Sequence, residues 1–236
     1  MGLLTRLLPP LADRAWLPSQ CLICRAWPAA PACAACRARF APATPRCRCC
    51  ARPLPQAAGA VCGLCLRAPP PLAQCVVAVS YGWPWQGWVT QFKFHQATGL
   101  AGPMAALMAA APGAQALLAA ADALVPLPLA GSRLAERGYN QALLLARRLA
   151  ARKTRPELLL RVRPTAAQHE LPRAQRLRNL RGAFATPPPQ TGAVAGRRLL
   201  LVDDVRTTGA SLHAAAQALL AAGAAQVDAL VFARTD

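Results

Sequence analysis

The chain has 236 residues, 55% apolar and 15% charged, which excludes a disordered tail or a coiled-coil rod and is enough to bury a real core. Lys and Arg number 27 against 9 Asp and Glu, a formal charge of +18. Lys93 and Lys153 are the only lysines, so the surplus is guanidinium and predicts phosphate or nucleic-acid partners.

The opening MGLLTRLLPPLADR interrupts any apolar run with Arg6, Pro9, Pro10 and Asp13, so no secretory signal is expected. Nine of the ten cysteines lie between Cys21 and Cys65, and eight of them form the pairs Cys21/Cys24, Cys33/Cys36, Cys47/Cys50 and Cys62/Cys65. Two intervening residues let both thiolates of a pair turn onto one ion at about 2.3 Å, so these knuckles suit two structural zinc sites of four cysteines each. An iron–sulfur cluster is the competing chemistry. Spacing leaves open which knuckles share an ion, and Cys49 is an alternative ligand beside Cys50. From Arg14 to Arg67 there are eight arginines and no acid, which reads as a phosphate-binding face or as a merely solvated one. Reduced paired cysteines without an export signal point to the cytoplasm.

Composition changes at Pro69-Pro70-Pro71, which sets the expected domains: a Cys-rich zinc-ribbon region over 1–71 and a second domain over 72–236. Beyond it the pattern predicts a strand at 75–81, helices at 85–95 and 103–121, a strand at 123–126, a helix at 132–153 and a strand at 157–163. After a polar, Arg-rich loop come a strand at 198–203, a helix at 210–222 and a strand at 226–233. Such alternation implies an α/β fold, a parallel sheet flanked by helices. The uncharged stretch 100–121 contains Gly102, Pro103, Pro112 and Gly113 and reads as soluble helices instead of a membrane span.

The most informative segment is LLLVDDVRTTGAS, residues 199–211. A buried strand ends in two carboxylates, Asp203 and Asp204, and the loop after it carries the hydroxyls of Thr207, Thr208 and Ser211 and the flexible Gly209 into a helix. Backbone N–H groups at a helix N-terminus hold phosphate, and carboxylates accept hydrogen bonds from a cis-diol, so the segment suits a ribose 5-phosphate. A helix cap and a plain turn are the simpler reading of the same residues.

This segment resembles the fingerprint of the phosphoribosyltransferases. With the CxxC pairs, Lys93-Phe94, Val125-Pro126-Leu127-Pro128, Arg137-Gly138-Tyr139-Asn140-Gln141 and residues 168–184, the chain is similar over nearly its whole length to the ComF family of competence-associated proteins. The resemblance implies a type I phosphoribosyltransferase fold behind a zinc ribbon, phosphoribosyl pyrophosphate with Mg²⁺ as ligand, and a link to DNA uptake. It assigns the ribose hydroxyls to Asp203 and Asp204, the second also near Mg²⁺. The 5-phosphate falls to Thr207, Thr208, Gly209, Ala210 and Ser211, with Val202, Val205 and Arg206 counted among the ligand-binding residues, and the pyrophosphate to residues 125–129, including Pro126 and Leu127. Arg206 departs from the pattern, standing where an aromatic or aliphatic residue is expected.

Lys93, Arg137, Arg173, Arg176 and Arg178 are candidate cations for a leaving pyrophosphate. His95, His169 and His213 are read as bystanders, and no residue set specifies a base-reading pocket. Two functions follow: a transferase of unknown acceptor, or a non-catalytic module that binds phosphoribosyl pyrophosphate and engages single-stranded DNA or a DNA-uptake partner. Trp83, Trp85 and Trp88 would stack on bases in the second, or else pack in a core. A phosphoacceptor receiver domain is excluded because too little chain follows Asp204. Walker-type hydrolysis is excluded because no GxxxxGK[ST] occurs.

Overall fold

The computed structural model describes residues 19–55, 59–163 and 182–235. The chain forms two compact units, Met1–Phe40 and Ala41–Asp236, a division that falls before the proline run. The first unit holds the knuckles Cys21/Cys24 and Cys33/Cys36 and the helix α1 (Ala34–Phe40). The second contains the other knuckles, the helix α2 (Gly63–Arg67) and the α/β elements. These are β1 (Cys75–Ser80), α3 (Trp85–Phe94), α4 (Ala101–Ala110), α5 (Ala114–Ala120), β2 (Ala123–Pro126), α6 (Gly131–Arg137), α7 (Gln141–Ala150), β3 (Leu160–Arg161), β4 (Phe184–Ala185), α8 (Thr191–Val194), β5 (Arg198–Arg206), α9 (Ala210–Ala221) and β6 (Gln226–Arg234).

Among the described residues the main sheet has four strands in the order β1-β6-β5-β2, every neighbouring pair parallel. A parallel sheet needs cover on both faces, and the run Leu199-Leu200-Leu201-Val202 supplies it, since all four side chains are buried. Leu212, Ala215, Ala216 and Leu219 of α9 share one core with Leu199, Leu201, Val227, Ala229 and Val231. Small alanines on α9 let that helix lie close to the sheet. Ala51 and Leu72 join the same core, Cys75 N donates to Arg48 O at 2.7 Å, and Arg234 Nη1 donates to Cys50 O at 3.1 Å. The second pair of knuckles is thus tied into the sheet.

The expected strands at 75–81, 123–126, 198–203 and 226–233 all form, the third extended to Arg206. Three expectations are corrected, the first being the helix expected over 103–121, which is two helices, Ala101–Ala110 and Ala114–Ala120. The helix expected over 132–153 is two helices, broken because Gly138 takes the left-handed conformation (φ +76°) and donates its N–H to Leu134 O at 2.8 Å. Asn140 then caps the second helix, its Oδ1 accepting from Leu143 N at 3.2 Å. The strand expected over 157–163 is a 3₁₀ turn, Pro156–Leu158, followed by Leu160–Arg161 paired antiparallel with Phe184–Ala185 outside the main sheet. Pro156 has no N–H to give a ladder.

No single helix among the described residues is long and apolar enough to cross a membrane; Thr98–Ala110 and Ala114–Ala120 are bent by 97° where Pro112 and Gly113 interrupt them. Leu201 is fully buried at the centre of the sheet, so Leu201→Ala should cost about 2–5 kcal/mol of stability in a urea titration of the whole chain. A loss below about 1 kcal/mol would contradict this packing.

Candidate functional site

Neighbouring knuckles share a site: Cys21, Cys24, Cys33 and Cys36 form one group and Cys47, Cys50, Cys62 and Cys65 the other, with the sulfurs of each group within 4.8 Å of one another. A tetrahedral ion with ligands at about 2.3 Å requires sulfur–sulfur edges of about 3.8 Å. The observed edges are 3.9 Å for Cys21–Cys36, 3.7 Å for Cys24–Cys33 and 3.7 Å for Cys50–Cys62. Backbone donors also favour thiolate, Cys33 N reaching Cys21 Sγ at 3.5 Å and Cys62 N reaching Cys47 Sγ at 3.3 Å. Burial raises Cys21, but the N–H groups of Cys24, Cys33 and Ile23 outweigh it and bring the thiol down to about 6, whereas burial and the neighbouring thiols push Cys36 of the same group up to about 12. Cys49 stands outside the group, so the third knuckle uses Cys50. The ten cysteines are all free of disulfides.

Within the second unit, a cavity of about 350 Å³ opens at the carboxyl edge of β5. Asp203, Asp204, Val205, Thr207 and Ser211 line it from β5 and its loop, Leu127 from the loop after β2, Lys93 from α3 and Arg137 from α6. Lys93 Nζ lies 3.1 Å from Asp204 Oδ1, and Asp204 N donates to Asp203 Oδ1 at 2.9 Å. Asp204 Oδ2 is buried with no hydrogen-bond partner among the described residues. Burial, and then the adjacent Asp204 carboxylate, push Asp203 up to about 8 despite the opposing pull of Lys93.

Residues 203 and 205–212 bound a smaller hollow that includes Thr208, Gly209 and Ala210 at the start of α9. The first N–H groups of a helix have no intrahelical partner; here Ala210 N is taken by Thr208 Oγ1 at 3.3 Å. Gly209 is left-handed (φ +81°), and a Cβ there would sit 2.6 Å from Arg206 Nη2, so both backbone and space demand glycine. Arg206 accordingly packs behind the loop, Nη1 donating to Cys75 Sγ at 3.6 Å and Nη2 lying 3.3 Å from His213 Nε2; it does not line the larger cavity. Val202 and Pro126 are buried in the sheet, in register with each other, and line neither space. Arg173, Arg176 and Arg178, with His169, lie outside the described residues.

Three lining cations or positioning groups escaped the sequence reading. Arg133 precedes Arg137 by four residues, one helical turn, a spacing that would have revealed it. Arg161 reaches the cavity from the short strand β3, and burial, then Arg133, lower its pKa. Asn140 Nδ2 donates to Leu127 O at 3.1 Å, fixing the loop that faces Asp203. Tyr139 OH donates to Phe92 O, holding the helix that carries Lys93, and Arg137 lies over the Phe94 ring at 5.1 Å. The lining therefore sets four cations, Lys93, Arg133, Arg137 and Arg161, against two carboxylates. Trp85 and Trp88 are buried in an edge-to-face pair 5.2 Å apart, which assigns them to the core, while Trp83 is exposed.

A family model for the phosphoribosyl transferase domain matches residues 126–235, the half of the chain that carries this loop. DNA utilization protein YhgH of Escherichia coli is 35% identical over 184 residues, 74% of this chain and 78% of that protein. Competence protein F of Haemophilus influenzae is 32% identical over 179 residues, covering 73% and 78%. The chain belongs to the ComF family. Competence protein ComFC of Bacillus subtilis is a further relative, 37% identical over 113 residues, 48% of this chain and 44% of that protein. This ComF chain thus joins a phosphoribosyltransferase domain with a parallel sheet to a Cys-rich N-terminal region whose two four-cysteine groups are consistent with a zinc ribbon.

Asp203 also makes stability depend on pH. Between its ordinary 3.8 and about 8 the folded chain holds a proton that the unfolded chain releases, so this group's stabilising contribution is present below about 3.8 and lost as pH rises through 8. Relative to Asp203→Asn, the native chain should lose stability between pH 5 and 9 in parallel urea titrations. Parallel curves for the two proteins would show that Asp203 ionises normally.

Proposed function

We propose that this chain binds phosphoribosyl pyrophosphate with Mg²⁺ in the cavity at the end of β5. The observation that carries this reading is the convergence of Asp203 and Asp204, the loop at the start of α9 and four cations on one space of nucleotide-fragment size. In this reading Asp203 and Asp204 accept hydrogen bonds from the ribose hydroxyls, and the N–H groups and hydroxyls of Thr207 to Ser211 take the 5-phosphate. Lys93, Arg133 and Arg137 stand around the pyrophosphate, with the loop at Leu127 as its floor. Displacement at the anomeric carbon builds positive charge on the sugar and negative charge on the leaving group; the carboxylates face the first and the cations the second. The orphaned Asp204 Oδ2 fits a divalent cation, which when bound would neutralise charge on the pyrophosphate.

Calorimetric titration with Mg²⁺ and phosphoribosyl pyrophosphate should show saturable binding that Asp203→Asn with Asp204→Asn removes, leaving the fold intact; unchanged affinity would overturn the assignment. Assay of the same sample for pyrophosphate, with and without nucleobases or single-stranded DNA, separates turnover from binding alone. The names of these relatives support a role in DNA utilization or competence, and the free cysteines support action in the cytoplasm.

We assign zinc to both four-cysteine groups on their tetrahedral edge lengths. Elemental analysis should find about two ions per chain, and Cys36→Ser and Cys65→Ser should each lower the content by about one. A folded chain without metal would refute this.

A further inference from the structure

A second cavity, of about 440 Å³, lies within the Ala41–Asp236 unit on the other side of the β5 loop, and its lining shares no residue with the first. Arg52, Arg206 and Arg234 line it, and no carboxylate does among the described residues. Arg206 and Arg234 face each other in register on the adjacent strands β5 and β6, only 2% and 7% exposed. Each has a buried Nε without a hydrogen-bond partner among the described residues, although Arg234 Nη1 reaches Cys50 O at 3.1 Å and Arg206 Nη2 lies 3.3 Å from His213 Nε2. Burial, and next the charge of Arg206, lower the pKa of Arg234.

Two buried like charges side by side are costly unless something negative accompanies them. The second four-cysteine group borders the cavity through Cys50 and Cys65, and four thiolates on one divalent ion carry about −2. Three guanidiniums still leave about one positive charge unbalanced. Pro69 to Pro71 and Leu64 make part of the lining apolar, while Gln217 and His213 offer hydrogen-bonding edges. Guanidiniums, apolar surface and polar edges in a space of this volume suit a phosphate monoester attached to a flat organic group.

The geometry points to a second anion site here, one that takes a nucleoside 5′-monophosphate with its phosphate on Arg52, Arg206 and Arg234. It does not rest on the phosphoribosyl pyrophosphate reading, because Arg52 and Arg234 lie outside that site, although Arg206, Thr208 and Ala210 border both this cavity and the hollow at the start of α9. Arg206 also fills the space under Gly209, so an anion drawn onto this guanidinium would act on the underside of the β5 loop.

The test is calorimetric titration of the metal-loaded full chain with adenosine 5′-monophosphate and, separately, inorganic phosphate. Arg52 is exposed, so Arg52→Glu spares the core; Arg137→Glu provides the matching charge reversal in the first cavity. The proposal expects saturable binding of the nucleotide, weakened at least about tenfold by Arg52→Glu and changed less than about twofold by Arg137→Glu. It also expects phosphate alone to bind more weakly at the same site, with the same sensitivity to Arg52→Glu. Absence of saturable nucleotide binding up to about 10 mM would overturn it, showing that the cysteine group alone balances the arginines. Loss on Arg137→Glu, or equal loss in both variants, would also overturn it, placing the nucleotide in the first cavity or on the general positive field.

Discussion

Two carboxylates on consecutive residues, at the end of a strand buried on both faces, repel each other, and the surroundings of β5 are arranged around that repulsion. Lys93 meets Asp204 at 3.1 Å, while Asp203 keeps its proton to about 8. The compensation is therefore partial: one carboxylate is paired with a cation and the other resists ionising. A cationic sugar or a divalent ion entering the cavity would relieve the same strain, which is why an arrangement so unfavourable when empty suits a ligand site.

The ion pair in turn depends on residues far along the chain. Tyr139 holds Phe92, next to Lys93; Arg137 covers Phe94; Asn140 caps α7 and grips Leu127; and Gly138 permits the tight break between helices that brings all of them together. Four consecutive residues, Arg137 to Asn140, thus connect segments that face the carboxylates. Behind β5 a comparable linkage runs through Arg206, which touches Cys75, His213 and the underside of Gly209. With Arg234 bound to Cys50 O, the second cysteine group is coupled to the loop at the start of α9 through packed side chains and not through a linker.

Much of this was legible in the sequence because burial on both faces leaves a simple pattern. An uninterrupted run such as LLLV between turn signals suits a central strand, and two acids followed by Thr, Thr and Gly before an Ala-rich helix suggest a ligand loop at its carboxyl end. The CxxC spacing likewise offered eight candidate ligands, but spacing is local and pairing is tertiary, so only the fold shows that neighbouring knuckles combine. The strand expected at 157–163 failed because Leu158 and Leu159 are buried for reasons of packing, not of sheet membership. The break in the long helix was written in Gly138 and Asn140, a stop and a start signal two residues apart. The direction of Arg206 was not written anywhere local, because it is set by the space left beneath a glycine three residues later.

The charge of +18 acquires a different meaning once its arginines are located. A bias toward arginine codons would scatter guanidiniums over the surface, where water screens them at little cost. Most of the described arginines do lie on that surface, but Arg133, Arg137 and Arg161 with Lys93 line one cavity, and Arg52, Arg206 and Arg234 line another, two of these last three almost fully buried. Burying a guanidinium without a carboxylate carries a desolvation cost that composition alone cannot sustain. The strand and loop that separate the two cavities carry both Asp203 and Asp204 on one side and Arg206 on the other, so a single turn of chain presents opposite charge to its two faces. Anions on the two sides would therefore meet at the same backbone, the segment from Asp203 to Ser211, through which occupancy of one cavity would be felt in the other.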